Sequence, residues 1–267
     1  MKKKVLVTGA GGQLGKTIEE LYLKNNFGLD FVFANKAKLD ISNKDNLHSY
    51  FKDFNFDYCI NCAAYTNVEQ AEKTPKLAYK INTEGVENLS IICEKNNVIL
   101  IHISTDYVFD GEKEAAYTVN DKTNPINAYG KSKLEGENHI KNTLTKYFIV
   151  RTSWLYSKKY GKNFYKTILE KAKTEKQLTI TTEQKGCPTD TVNLSKFIFK
   201  LIQEDNQAYG VIHFCDDKVM TWYDFAEQIL IENNLSNNIY LVKVNNYRTF
   251  ARRPKSSVLK NSHINVN

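Results

Sequence analysis

Residues 5–15 read VLVTGAGGQLG: an apolar run, a threonine, then glycines at 9, 11, 12 and 15. An apolar run that breaks into glycines reads as a strand turning sharply into a helix, and residues 13–24 carry helical spacing. Glycines in such a turn keep Cβ atoms away from an approaching phosphate. The backbone N–H groups and the partial positive charge of the helix start then meet its oxygens. The spacing Gly9–Gly12–Gly15 is GxxGxxG, with Leu14 where the commoner GxGxxG would close on glycine. The turn reads as a dinucleotide pyrophosphate site; the alternative is a tight turn needing glycine for packing alone.

Working outward, strands are expected at 31–34, 57–61, 98–104 and 147–152, with helices at 76–95 and 127–140. Ser42, with Asp45 three residues on, is expected to cap a helix running to Lys52. The run 98–104 is almost continuously apolar, as in a strand buried on both faces. Repeated strand–helix units of this length make a parallel sheet with helices on both sides. After Arg151 the rhythm loosens, with helices expected at 163–173, 192–203 and 221–232 and strands at 178–182, 211–214 and 239–244. The aromatic WYDFA at 222–226 is expected in the core. The expected architecture is α/β. A Rossmann-type doubly wound parallel sheet spans 1–151 and a smaller C-terminal α/β substrate lobe spans 152–267. Some elements of the lobe are free to return to the sheet, and the site lies between the two.

Composition narrows the function. The 267 residues are 42% hydrophobic and 25% charged, with only 4 Pro and 12 Gly, which excludes a low-complexity chain. No window approaches the roughly 20 apolar residues of a membrane span. The start MKKKVLVTG leads at once into glycines, as a first strand does and a signal peptide does not. A cytoplasmic protein without a membrane partner is expected. Five cysteines argue against a disulfide scaffold. Cys59 and Cys62 form a CxxC, but in the strand-like YCINCAA and without a second pair, so buried thiols and no metal are expected. The net charge of +7 is spread along the chain, which suits a small anionic ligand or simple solubility rather than nucleic acid.

At the end of the second expected strand the usual ribose-binding acid is missing, and Lys36 and Lys38 stand there instead. Lysines attract a 2′-phosphate that a carboxylate would repel, which favours NADPH over NADH. Tyr129 and Lys133, in NAYGKSKLEGE, are four residues apart on a helical stretch and share one face. A phenol is a weak acid, with a pKa of about 10, and a neighbouring ammonium makes proton exchange with a carbonyl oxygen practicable. Ser104, Thr105 and Asp106 end the most buried strand, at the edge where such sheets bind ligands. A surface Tyr and Lys at this spacing would be the bland alternative.

With these stretches in view, the chain resembles the extended short-chain dehydrogenase/reductases, and within them the dTDP-4-dehydrorhamnose reductase family. The resemblance rests on VTGAGGQLG, LDIS, INCAAYTNVEQAE, INTEG, ISTDYVFDGE, NPINAYGKSKLEGE, RTSWLY, QKGCPT, WYDFA and ARRPKSSVL, in order from residue 7 to about 260. It implies that Gly9, Gly12, Gln13 and Leu14 wrap the pyrophosphate. Asp40 and Ile41 would lie by the adenine, and Ala63, Ala64 and Tyr65 along the ribose and phosphate path. Asn82 would support the relay of the catalytic lysine. Thr105, Tyr129 and Lys133 would form the catalytic triad, the last two also touching the cofactor. Trp154 would pack by the sugar, with Asn163, Gln184, Pro188 and Arg252 or Arg253 as further contacts to the nucleotide sugar.

The implied reaction is NAD(P)H-dependent reduction of the 4-keto group of dTDP-4-dehydro-L-rhamnose to dTDP-L-rhamnose, a precursor of surface polysaccharide. The substrate would be a nucleotide sugar and a homodimer would be the possible assembly. Two alternatives stand beside it: a 4-ketoreductase for another nucleotide-linked deoxysugar, and a non-catalytic regulatory subunit like the β subunit of methionine adenosyltransferase. The chain departs from the family in YRTFARRP, which lacks the usual prolines, and in ending soon after SVLKN, where the family continues into a helix. The first departure borders the sugar pocket; the second is expected to affect assembly.

Overall fold

The structure, a computed structural model, describes residues 2–25 and 27–262. From the N-terminus, β1 (Lys3–Thr8) leads through the glycine turn into α1 (Gln13–Lys24), followed by β2 (Leu29–Ala34) and α2 (Lys44–Asp53). Next come β3 (Tyr58–Asn61), α3 (Val68–Lys73) and α4 (Pro75–Tyr79). A wide π-helical turn, Lys80–Glu84, joins α4 to α5 (Gly85–Lys95), so the expected single helix 76–95 is interrupted. Then come β4 (Ile99–Thr105), α6 (Ala128–Thr143) and β5 (Tyr147–Thr152). The remaining elements are β6 (Leu155–Tyr156), α7 (Phe164–Ala172), β7 (Gln177–Thr181), β8 (Lys185–Gly186), β9 (Thr189–Asp190) and α8 (Thr191–Gln203). The last are β10 (Gly210–His213), β11 (Met220–Thr221), α9 (Trp222–Glu232) and β12 (Tyr240–Val244).

Side-chain alternation in the strands builds the layers. Val5 and Val7 of β1 face one core while Leu6 faces the other, and all three are fully buried. β4 and β5 repeat the split, Ile101, Phe148 and Val150 on one side and Leu100 and Ile149 on the other. A strand buried on both faces needs helices above and below it. Here α1 packs beside α8 on one face, and α2, α5 and α6 pack together on the other. The sheet has six parallel strands in the order β10-β5-β4-β3-β1-β2. The chain passes from β1 out to β2 and returns on the far side with β3. A crevice therefore opens at the carboxyl ends of β1 and β3, where such sheets receive ligands.

The chain beyond residue 151 serves both layers. α8 and β10 return to complete the main sheet. β7 and β12 pair in parallel in a separate small sheet. There α7 and α9 enclose a core of Tyr156, Tyr165, Ile168, Leu178, Phe225 and Ile229. The cap of α2 is one residue later than expected. Asp40 takes both the amide and the hydroxyl of Ser42 into its own turn, leaving Asn43 to accept from the Asn46 amide at 3.0 Å. Among the described residues no helix is long and apolar enough to cross a membrane.

Candidate active site

The glycine turn is shaped by close approach. Gly9 has a φ of +62°, and a Cβ there would sit 2.5 Å from the Ala63 nitrogen. Only glycine lets the turn lie on the end of β3. Helix α1 begins at Gly12, with no side chain capping it and no acidic residue in its first turn. Its N-terminal dipole therefore faces the crevice without a competing carboxylate. Gln13 spans the lobes, donating to the Leu155 carbonyl at 3.0 Å and accepting from Asn163 Nδ2 at 3.0 Å.

From this turn a cleft of about 560 Å³ runs along the strand ends, with Gly12, Ala64, Thr105, Tyr129, Lys133 and Trp154 in its lining. α6 presents Tyr129 and Lys133 together. It starts at Asn127, whose side chain accepts from the Gly130 amide at 2.8 Å and donates to the Arg252 carbonyl at 2.8 Å. Gly136 lets the helix settle on the Asn82 carbonyl of the π-turn, a contact that any Cβ would block. Across the cleft Thr105 ends β4. Its hydroxyl donates to Asp106 Oδ1 at 3.0 Å and accepts from the Tyr107 amide at 3.2 Å. Burial pushes the Tyr129 phenol above its ordinary range, while the Thr105 hydroxyl pulls the other way. Burial likewise pushes the Asp106 carboxyl up to about 6, against the hydrogen bonds from Ser257, Ser153 and Thr105.

Lys133 is 1% exposed. Burial pulls its ammonium down to about 8, with Glu137 and Cys62 acting to raise it. Glu137 and Arg151 form a buried pair beneath, with Arg151 Nη2 to Glu137 Oε2 at 2.7 Å and Ser104 donating to Glu137 Oε1 at 2.6 Å. The expected lysine support from Asn82 is not what the structure builds. Asn82 instead grips the backbone of Tyr65, accepting from its amide at 2.8 Å and donating to its carbonyl at 3.0 Å, and donates to Ser132. The π-turn that carries Asn82 aims it at this loop. His102 and the Ile103 carbonyl hold Lys133, at 3.0 and 2.7 Å.

The opposite wall is aromatic. Trp154 adopts a left-handed φ of +47° and stacks flat on Trp222, centroids 3.5 Å apart and planes at 1°. Such a backbone is costly for a bulky side chain and points to a position that is held for use. Trp222 is anchored by Gln184 Oε1 at 2.8 Å. It lines the cleft rather than lying in the core with Phe225 and Ala226, which corrects the reading of WYDFA. Arg253 lines the cleft and an adjoining hollow of about 400 Å³ that also borders Gln184, Tyr247 and Thr249. It is paired with Glu69.

Comparison with known proteins decides the family. The model of the RmlD substrate binding domain matches residues 2–267. The chain belongs to the RmlD substrate binding domain family. A dTDP-4-dehydrorhamnose reductase of Aggregatibacter actinomycetemcomitans is 38% identical, aligned over 96% of this chain and 90% of its own. A dTDP-4-keto-6-deoxy-D-glucose reductase of Streptomyces niveus is 34% identical over 85% of this chain and 77% of its own. Among solved structures, the dTDP-4-dehydrorhamnose reductase of Bacillus anthracis in complex with NADP superposes with a TM-score of 0.93 at 38% identity, covering 98% of this chain and 92% of that one.

Within this RmlD chain several expected residues stand apart from the cleft. Asn163 caps α7, accepting from the Lys166 amide at 3.0 Å, and its amide group is taken by Gln13, Ser157 and Tyr160. Pro188 borders a different hollow with Asp216 and Asn193. Arg252 is exposed and contributes its carbonyl to Asn127. The Ile41 side chain is buried against Gly85, and one oxygen of the Asp40 carboxylate serves its own turn. Leu14, by contrast, lines the cleft while packing into the core. Sequence reasoning missed His102, Asn61, Trp222, Glu69 and Thr152. The Thr152 hydroxyl is buried in the cleft lining without a partner, as expected of an atom that completes its hydrogen bond with a ligand. The one available signal was parity: His102 and Thr152 lie in strand runs where polar residues interrupt apolar ones.

Proposed function

We propose that this chain reduces the 4-keto group of dTDP-4-dehydro-L-rhamnose with NADPH, yielding dTDP-L-rhamnose. The observation that carries it is the convergence of Thr105, Tyr129 and Lys133 on one cleft that begins at an uncapped, glycine-lined helix start. The relatives named as reductases argue against a purely regulatory subunit.

The residues fit the cofactor. The start of α1 takes the pyrophosphate, with Gly9, Gly12, Gln13 and Leu14 around it. Ala63, Ala64 and Tyr65 border the ribose path, and the backbone at Asp40 and Ile41 the adenine. Lys36 and Lys38 are exposed, with no carboxylate between them, an arrangement suited to a 2′-phosphate. When bound, NADPH supplies the hydride. Tyr129 donates its phenolic proton to the carbonyl oxygen as negative charge builds there. Thr105 turns towards that oxygen the hydroxyl proton it otherwise gives Asp106. Lys133, positive at neutral pH, favours the tyrosinate that remains. Trp154 and Trp222 give the sugar a flat apolar wall, and Arg253 offers a planar fork to the diphosphate. Exclusion of water by these aromatic walls strengthens each of the polar contacts.

The chain acts in the cytoplasm on a small nucleotide sugar, without nucleic-acid or membrane partners, and a homodimer is its proposed assembly. The test is loss of reduced-nicotinamide absorbance on mixing the protein with dTDP-4-dehydro-L-rhamnose and NADPH or NADH in parallel. Consumption of NADPH is expected. A second reading, favoured by the Streptomyces niveus relative, is reduction of dTDP-4-keto-6-deoxy-D-glucose. Turnover of that sugar alone would replace the first assignment.

A further inference from the structure

Thr8, Asn61 and His102 are register partners across β1, β3 and β4, so their side chains share one face of the sheet. They form a buried chain that begins one residue before the glycine turn and ends at Lys133. Asn61 Oδ1 accepts from the Thr8 hydroxyl at 2.7 Å and from the Ala63 amide at 3.1 Å. A backbone N–H can only donate, so the Asn61 oxygen must face it. The Asn61 amide nitrogen then faces His102 Nδ1 at 3.0 Å. An amide nitrogen also can only donate, so Nδ1 accepts and carries no proton. The imidazole is fully buried, and burial keeps it neutral. Its one N–H must therefore lie on Nε2, 3.0 Å from Lys133 Nζ. An ammonium has no lone pair to receive that N–H, so the contact disfavours the resting cation and becomes a hydrogen bond only when Nζ is a free amine.

We propose that His102 is a positioning residue for the reduction: locked by Asn61 as the Nε2–H tautomer, it donates to the free-amine form of Lys133 and holds that amine at the cleft floor. This rests on the roles given above to Tyr129 and Lys133. After Tyr129 has given its proton to the product oxygen, Lys133 gives one of its ammonium protons to the tyrosinate. The lone pair left on Nζ is met by His102 Nε2–H, and Nζ regains a proton from solvent once the product has left. No electrons move in these steps, and each proton lost is replaced. The other groups facing Lys133 are Glu137 on its own helix and Cys62 at the end of β3. Those facing Tyr129 are Thr105, Asp106 and Tyr107. None of these can donate to an amine lone pair from the side His102 occupies.

The test uses the full chain labelled with ¹⁵N-histidine, the His102 signals being assigned by their loss in His102→Gln. The expected spectrum has the proton on Nε2 and none on Nδ1. It should reverse in Asn61→Asp, whose carboxylate accepts from the Nδ1 side. A wild-type proton on Nδ1 overturns the proposal. In kinetics, His102→Phe keeps a planar ring and removes both ring nitrogens, and the basic limb of kcat/KM should move up by about one pH unit, since a hydrogen bond to the neutral amine is lost. His102→Gln restores an N–H at the Nε2 position and should return the limb to its wild-type place. A merely structural role would lower both variants at every pH and leave the limb in place, which also overturns the proposal. The spectra need no turnover, so failure of the tautomer lock and failure of the reductase reading can be told apart.

Discussion

The floor and the wall of the cleft are built by opposite means. The floor consists of side chains from strand ends and α6 that are almost completely buried: His102 and Glu137 at 0%, and Asn61 and Lys133 at 1% exposure. Nearly every polar atom there has a protein partner. The wall is made of half-buried Trp154, Trp222 and Arg253, carried on loops and helix ends of the second lobe. The floor holds what reduction of any ketone requires, namely a proton donor, a cation and a cradle for a dinucleotide. The wall is the proposed seat of the sugar and is tied to the floor at a few points, such as Gln13 to Leu155 and Glu69 to Arg253. On the proposed function, chemistry is thus set in the buried floor and choice of substrate on the half-buried wall.

The sharpest challenge to this division is Tyr129→Phe. It should lower kcat by about 10²–10⁴-fold while NADPH binding, followed by fluorescence titration, stays intact. Turnover near the wild-type level would mean that the proton comes from elsewhere. Next is the buried pair beneath the floor. Glu137→Gln leaves the Arg151 charge without its partner and should cost about 3 kcal/mol, read as a fall in the urea midpoint without a change in slope; an unchanged midpoint would show that the floor does not depend on the pair.

On the wall, Trp222→Ala removes the plate behind Trp154. The KM for the keto sugar should rise about tenfold, the order of one good aromatic contact, with NADPH affinity unchanged. If NADPH affinity falls instead, wall and floor are not separate. The smallest effect is expected at the rim. Lys36→Glu with Lys38→Glu should reduce the preference for NADPH over NADH by roughly fivefold, as exposed charges interact by about 1 kcal/mol, and the effect should shrink in high salt.

The local parts of this protein were legible in its sequence. The glycine turn, the doubly buried strands and the pairing of Tyr129 with Lys133 depend on spacing along one segment, where the periods of strand and helix dictate which side chains share a face. So the dinucleotide fold and the placing of Tyr129 and Lys133 on one cleft could be read directly. Spacing says that a side chain points inward and does not say what it meets there. Thr8, Asn61 and His102 become neighbours only because three strands align in parallel register. Trp222 joins Trp154 across 68 positions of chain because α9 folds back on the second lobe. Asn82 looked like the lysine's support by analogy, but the π-turn aims it at the Tyr65 loop and leaves Lys133 to His102. Residues beyond 151 read as a lobe with elements free to return to the sheet, and packing selects α8 and β10, which cover the sheet's free edge and apolar face. The sequence determined the elements and the reaction they could support. The packing of one element on another determined which groups touch, because contact distance depends on position in space rather than on order along the chain.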